Sequence, residues 1–376
     1  MSEALELAAR ARGRTSPNPM VGALVIREGQ VVGRGYHQRA GEPHAEILAL
    51  REAGGLARGA SLVVTLEPCC HQGRTGPCAP AVLEAGIAEV YAAMDDPNPL
   101  VAGGGRRFLA DHGVSVHTGL MEAEARQLNE AFITRVTTGL PFVEIKVAMT
   151  LDGKIATSTG RSRWITGESA LAWVHQRRDQ ADAILVGAHT VRLDDPELTV
   201  RPAPPDGRQP LRCVVTASGD LPPNAKLFTD GAAKTVVFCP EGREQRLLGA
   251  TVHVIPRDLG ATSALRSLQG PSSPAAPQDD MNYVSLTGVL RRLAERGVNE
   301  VLVEGGARLN AELLRAGLVD RVSAFVAPKI FGGAAPGGFG ELGVLEPAEA
   351  IRLDDVQVTP IGDDWLFRGR PACSPE

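Results

Sequence analysis

Several things are missing from this chain of 376 residues. No run of 18 apolar residues occurs, so no helical membrane span is expected. The first residues, MSEALELAARARG, read as a short amphipathic helix and lack the apolar core of a signal peptide. A cytoplasmic protein without a membrane partner is the expectation. Charge of one sign is also lacking: the net charge is −5 and 22% of residues are charged. Nucleic-acid binders usually carry a basic face, so this balance gives no footprint for such a partner. It leaves room for a local basic pocket that holds a single phosphate. Cysteine is sparse, with six residues in all. Cys69, Cys70 and Cys78 cluster, whereas Cys213, Cys239 and Cys373 are scattered. A disulfide scaffold would be shorter and more densely bridged, so the cluster points to metal or catalysis. Cys213 and Cys239, within LRCVVT and TVVFC, read as small buried hydrophobes. There is no internal repeat.

The length calls for two domains. The first third alternates strand and helix signals. MVGALVIREG and QVVGRGYH read as paired strands joined at Glu28-Gly29. Residues 43–53 read as a helix, SLVVTLEPC as a strand, APAVLEAG as a helix, IAEVYAAM as a strand, and GRRFLADHG as a helix before the strand VSVHTG. A second cycle begins near Leu140. FVEIKVAM, ADAILVG, LRCVVTA, KTVVFC, NEVLVEGG and VDRVSAFVAP read as strands. Residues 167–180, LTGVLRRLAERG and ARLNAELLRAG read as helices. The class is α/β, with helices layered on sheets. The boundary falls near TTGLP, giving domains at 1–138 and 139–370 and a tail at 371–376. GPSSPAAPQDDMN reads as a mobile surface loop and RPACSPE as a disordered tail.

The chemistry is most explicit in GEPHAEILAL. His44 and Glu46 lie two apart, and such side chains do not share a helix face. They can cooperate only at the helix mouth, on something lying in front of it. Downstream, TLEPCCHQGRTGPCAPAV delivers Cys69 at a strand end and Cys78 at a helix start. One imidazole and two thiolates make a three-ligand zinc site with the fourth position open, the catalytic arrangement. Helix N-termini favour the thiolate that binds metal. Bound zinc lowers the pKa of its water to about 7, and Glu46 then has the role of proton shuttle rather than ligand. Taken singly, His44 is an ordinary histidine, the cysteines are buried hydrophobes, and Glu46 is a solvated helix residue. The joint occurrence of H-x-E with E-P-C in a strand-to-helix turn is what singles them out. Zinc deaminases usually carry P-C-x-x-C, but here Gln72 stands at the last position. Cys70 and Cys78 therefore compete for the third place. Adjacent cysteines point apart on an extended backbone, which favours Cys69 with Cys78.

In the second half, VEGGARLNAELL offers a strand, a Gly pair and a helix start. That turn suits a phosphate or simply tight packing, and it does not meet G-x-G-x-x-G. Lys146 and Glu304 are charged residues in apolar strand contexts, where burial is costly unless they serve a function.

EPCCHQGRTGPC closely resembles the deaminase segment of the bifunctional riboflavin-biosynthesis deaminase/reductases. SPNPMVGALV and GRGYH resemble that family's substrate-pocket segments. VAMTLDGKIA, SRWIT, LDDPELTVR, VEGGARLNAELLRAGLVDRV and APKIFGG resemble its reductase domain, in the family's order over about residues 1–370. Cys70 and Gly76 stand where the family has Ser and Pro. The resemblance implies a cytidine-deaminase-like first domain and a dihydrofolate-reductase-like second one. It implies zinc-dependent hydrolysis of the 2-amino group of a diaminopyrimidinone ribosylamino 5′-phosphate, followed by NADPH reduction of the ribosyl chain to ribityl. It makes His44, Cys69 and Cys78 the zinc ligands and Glu46 the shuttle. Asn18, His37, His71 and Arg74 would hold base, sugar and phosphate, and the planar guanidinium of Arg74 suits a phosphate. Gly305, Gly306, Ala307, Arg308, Leu309 and Asn310 would line the NADPH diphosphate. Ala148, Trp164, Thr190, Asp194 and a residue near Ser218 would touch the rest of the cofactor. Ser162, Arg178, Leu198, Arg201 and Glu304 would face substrate. Lys146, Asp194 and Glu304 are the candidates for orientation and proton supply. The partner is a small phosphorylated pyrimidine, with a homo-oligomer expected. The rival readings are a nucleic-acid-editing deaminase, a zinc-stabilised binding module, and a deaminase with a non-catalytic second domain. The acidic balance, the nine-residue cysteine spacing and the large second half count against the first of these, and the intact Glu46 against the second.

Overall fold

The computed structural model describes residues 1–70, 76–99, 101–255 and 284–372. The chain divides into two compact units. One is Met1–Phe142 with Gly297–Asn299, and the other is Val143–Arg296 with the chain from Glu300 onward.

The first unit runs α1 (Ser2–Ala9), β1 (Gly22–Arg27), β2 (Gln30–Tyr36), α2 (Ala45–Ala53), β3 (Ser61–Val64), α3 (Cys78–Glu84), β4 (Glu89–Ala92), α4 (Gly104–Asp111), β5 (Ser115–Thr118), α5 (Glu122–Leu128) and α6 (Glu130–Thr138). Its sheet has the order β2-β1-β3-β4-β5. β1 pairs antiparallel with β2 and β3, and β3, β4 and β5 are parallel. The β1–β2 hairpin turns at Glu28 and Gly29, both with positive φ, the geometry that a two-residue hairpin turn requires. Small residues set how closely α2 approaches the sheet. A Cβ at Gly33 would lie 2.2 Å from the carbonyl oxygen of Ala49, and one at Gly35 would lie 2.2 Å from that of Ala45. With Ala45, Ala49 and Ala53 buried on the facing side, helix and strand meet almost backbone to backbone. That contact aims the start of α2 at the end of β3. α5 and α6 carry no clear signal in the sequence. α5 is mostly exposed and α6 mostly half-buried, and they bury only Ala125 and Phe132, so their apolar periodicity is faint.

The second unit runs β6 (Phe142–Thr150), α7 (Glu168–Gln180), β7 (Ala183–Gly187), α8 (Ala188–Asp194), β8 (Leu211–Val215), α9 (Lys226–Thr229), β9 (Thr235–Cys239), β10 (Ala250–Val254), α10 (Leu286–Glu295), β11 (Glu300–Val303), α11 (Ala307–Arg315), β12 (Arg321–Ala327), β13 (Leu353–Ile361) and β14 (Asp364–Pro371). Its sheet has the order β10-β9-β8-β7-β11-β6-β12-β14-β13. β7, β8, β9 and β10 pair in parallel, as do β7 with β11 and β6 with β12. β12, β14 and β13 close one edge antiparallel. The central strands read as continuous apolar runs because helices cover both faces, as parallel sheets demand. Cys213 and Cys239 are fully buried within them. The α8, α9 and β10 segments and the β13–β14 ribbon carry no clear signal in the sequence. GPSSPAAPQDDMN and the last four residues lie outside the described residues. Among the described residues no helix is long and apolar enough to cross a membrane.

Candidate active sites

His44 is the N-cap of α2 and follows Pro43, and Glu46 sits in the first turn, only 3% exposed. β3 runs on into Pro68-Cys69, and α3 starts at Cys78. The two cysteines are drawn together by the backbone: the Ala79 N–H donates to the Cys69 carbonyl at 3.0 Å and the Cys78 N–H to Cys69 Sγ at 3.4 Å. His44 Nδ1 lies 3.1 Å from Cys78 Sγ and 3.5 Å from Cys69 Sγ. All three ligand atoms fall within 4.8 Å of one another. A tetrahedral zinc with Zn–N and Zn–S bonds of ordinary length separates N and S ligands by about 3.6 Å, so the spacing and the donor set both fit zinc. Cys70, one residue on, is not part of this group.

The electrostatics agree. Hydrogen bonding from the Cys78 thiol, helped by His44 and the Cys78 N–H, overcomes burial and brings the Cys69 thiol down to about 4. Cys78 is pushed far up by the same shared proton and by burial. Two adjacent thiols that cannot both ionise in a partly buried site are what a divalent cation relieves. Burial, reinforced by the negative Cys69, pushes Glu46 up to about 7. A carboxyl balanced at neutral pH can both take and give a proton.

Asn18 and His37 also come together, but differently from what was expected. His37 is 2% exposed. Its Nδ1 is 3.2 Å from the Pro43 carbonyl and its Nε2 is 3.0 Å from Asn18 Nδ2. Both ring nitrogens are thus engaged within the protein, and Asn18 is the more accessible of the two. The ring also stands edge-on to His44 at 5.3 Å. His71 and Arg74 lie outside the described residues.

In the second unit three of the expected residues gather where β11 ends, beside β6 and α7. Glu304 follows β11 and meets Arg178 of α7 through two hydrogen bonds, Nε to Oε1 at 2.6 Å and Nη2 to Oε2 at 2.9 Å. Both side chains are 11% exposed. Burial pushes the Glu304 carboxyl up, but Arg178 and then Lys146 outweigh it and hold it below the usual range. Burial lowers Lys146, which Glu304 opposes. Lys146, Arg178 and Glu304 therefore form one cluster. His175, one turn before Arg178 and not anticipated from sequence, joins its edge: its Nδ1 accepts from the Arg201 N–H at 3.1 Å, and its pKa is lowered by burial and by Arg178 and Arg201. The Arg201 side chain is exposed and pairs with Glu197 at 3.0 Å.

Other expected residues scatter. Leu198 does not face a site with its side chain. It is 3% exposed and packs into the cluster of Ile184, Val214 and Val237, so only its backbone can serve a ligand. Thr190 Oγ1 would lie 3.9 Å from a Cβ at Gly306, which places α8 and the start of α11 side by side. Ala307 and Leu309 are half-buried at that start, and Arg308 is exposed. Asn310 is fully buried, donates to the Gly338 carbonyl at 3.0 Å, and braces that loop. Trp164 is 68% exposed and available for stacking. The Asp194 carbonyl accepts from Arg163 at 3.0 Å, Ser218 is exposed beyond β8, and Ser162 is half-buried in the β6–α7 loop. Ala148 packs beside Ala170, Phe325 and Leu366.

Comparison with known proteins matches residues 1–94 to the cytidine and deoxycytidylate deaminase zinc-binding region and residues 141–367 to the RibD C-terminal domain. The riboflavin biosynthesis protein RibD of Synechocystis is 44% identical over 98% of this chain and 95% of its own length. That of Escherichia coli K12 is 38% identical over 97% of this chain and 96% of its own. The structure of Acinetobacter baumannii RibD superposes with a TM-score of 0.85 at 35% identity, covering 99% of this chain and 97% of that one. The diaminohydroxyphosphoribosylaminopyrimidine deaminase/5-amino-6-(5-phosphoribosylamino)uracil reductase of Thermotoga maritima superposes with a TM-score of 0.79 at 34% identity, with the same coverage.

Proposed function

From the premise that this chain belongs to the RibD family of riboflavin biosynthesis proteins, with a deaminase and a reductase domain in one enzyme, we propose how its own residues divide the work. The substrate is the one for which the Thermotoga relative is named, a pyrimidine carrying a ribosylamino 5′-phosphate. In the first unit, His44, Cys69 and Cys78 hold zinc, which when bound supplies the Lewis acidity that activates water. Glu46 Oε takes a proton from the attacking water and passes it to the departing 2-amino group, which leaves as ammonia. Asn18 orients the ring and His37 holds Asn18. The observation that carries this reading is geometric: Glu46 is buried in the first turn of α2, whose N-cap is His44, where the His44, Cys69 and Cys78 ligand atoms gather.

In the second unit, hydride transfer is the chemistry that NADPH supplies when bound. The turn at Gly305 and Gly306 with the start of α11 suits its diphosphate, and the exposed Trp164 offers a stacking surface. Arg178 is held in place by Glu304 and faces the substrate end of the sheet. Lys146, beside the Arg178–Glu304 pair, orients the sugar and holds the proton that accompanies the hydride. The test is product analysis by mass spectrometry. Incubation without NADPH yields the deaminated ribosylamino compound, and adding NADPH converts it to the ribityl compound. Conversion of RNA cytosine or adenine in place of the pyrimidine would overturn the assignment.

A further inference from the structure

Glu67 has no role in the account so far, yet its surroundings are unusual. It is a buried carboxylate, 4% exposed, two residues before Cys69. Its Oε2 accepts from the Asp96 N–H at 3.1 Å and the Gly103 N–H at 2.9 Å, and its Oε1 from the Arg106 N–H at 2.9 Å. Its own N–H donates to the Met94 carbonyl at 3.0 Å. One oxygen therefore ties both ends of the 96–103 loop, and the other caps the first turn of α4. The glycines that follow the loop show what this clamp presses against. A Cβ at Gly105 would lie 1.7 Å from the Pro68 carbonyl oxygen, and one at Gly104 would lie 2.6 Å from Cys70 Sγ. α4 thus rests directly on Pro68 and Cys70, on either side of Cys69. The Cys78 N–H and Ala79 N–H hold Cys69 through its sulfur and its carbonyl.

We propose that Glu67, together with Gly105, is a positioning residue for the metal centre. It locks α4 onto the Pro68–Cys70 turn and so fixes the direction in which Cys69 Sγ points. This rests on the zinc reading above. A carboxylate meets three convergent N–H donors better than any other side chain, because both its oxygens only accept. Groups hydrogen-bonded to metal ligands tune affinity by about 10–100-fold, and Glu67 acts on the same geometry through the turn that carries Cys69.

Two variants of the full-length enzyme test the proposal, Glu67→Gln and Gly105→Ala. The amide of Gln must turn its NH2 toward at least one N–H. The Ala Cβ would meet the Pro68 carbonyl oxygen at 1.7 Å and so pushes α4 away, while lying at ordinary contact distance, 3.5 Å, from Glu67 Oε1. Zinc transfer to a chromogenic chelator and the visible spectrum of the cobalt(II)-substituted protein are measured. NADPH-dependent reduction in the same sample checks that the second unit is folded. The expectation is zinc bound about 10–100-fold more weakly in each variant, shifted cobalt ligand-field bands, and reduction within twofold of wild type. Wild-type zinc retention and cobalt bands in a folded Gly105→Ala protein would overturn the proposal, even if its melting temperature fell. Wild-type protein that takes up neither metal would overturn the zinc reading and this proposal with it.

Discussion

Replacing Glu304 with Gln removes one negative charge from a cluster that otherwise holds two cations. Arg178 and Glu304 are each 11% exposed and doubly hydrogen-bonded, and Lys146 is raised by Glu304 against its burial. Removing one member of a buried pair costs about 3–5 kcal/mol, because the partner stays behind uncompensated. Gln keeps an acceptor for one of the two Arg178 hydrogen bonds, so the lower end, about 3 kcal/mol, is expected. For a unit of this size that lowers the melting temperature by about 6–12 °C. Lys146, without its counter-charge, is lowered further and holds its proton less well. NADPH consumption with the deaminated pyrimidine should therefore be lost, while ammonia release from the aminated pyrimidine continues. Adding Lys146→Met to Glu304→Gln should restore part of the stability and none of the reduction. Undiminished reduction in Glu304→Gln, or a melting transition that does not move, would refute this account of the cluster.

Other outcomes follow from the same structure. Chelation of the metal, or Cys78→Ser, should abolish ammonia release and leave NADPH consumption unchanged; parallel loss of both would show that the two chemistries are not separable. Gly35→Ala drives a Cβ to 2.2 Å from the Ala45 carbonyl and should destabilise the first unit by about 1–3 kcal/mol, read as a lower melting temperature together with easier zinc loss. Acid should weaken the second unit. Burial would raise Glu144, but Arg177, Arg368 and Ser323 hold its pKa below the ordinary glutamate value of 4.5, as Arg178 does for Glu304. A carboxylate lowered by folding stabilises above its unfolded pKa, and that contribution fades as pH falls from 4.5 through the folded value. Glu300, raised by burial, works in the opposite sense and offsets part of it. Melting temperatures that stay flat on acidification to well below 4.5 would contradict the sign of this balance.

How legible the molecule is in its sequence depends on what each residue must satisfy. Strands such as ADAILVG and TVVFC announce themselves because covering helices demand unbroken apolar runs. The β13–β14 ribbon does not: Asp354, Asp355, Val356, Gln357, Val358 and Thr359 are all exposed, so β13 has no buried face to write an alternating pattern. The zinc-site residues were visible because a metal centre demands particular residue types at a helix mouth and a turn. Glu67 was quoted as part of E-P-C, yet its role was invisible, because its partners are backbone N–H groups that any sequence provides. His37 was expected beside the substrate, but its partners, the Pro43 carbonyl and Asn18, become evident only once the fold closes the loop. The Lys146, Arg178 and Glu304 cluster spans three elements far apart in sequence. Charge in an apolar strand context marks Lys146 and Glu304 as odd, and only the family resemblance points to Arg178.

The central claim is that the first unit is a zinc-dependent hydrolase in which Glu46 moves the proton. Wild type and Glu46→Ala, assayed side by side for metal content, ammonia release and NADPH-dependent reduction, test it most directly. About one zinc per chain in both proteins, with ammonia release lost in the variant alone and reduction retained in both, is the predicted result. Absence of zinc from wild type, or undiminished ammonia release by Glu46→Ala, would contradict it.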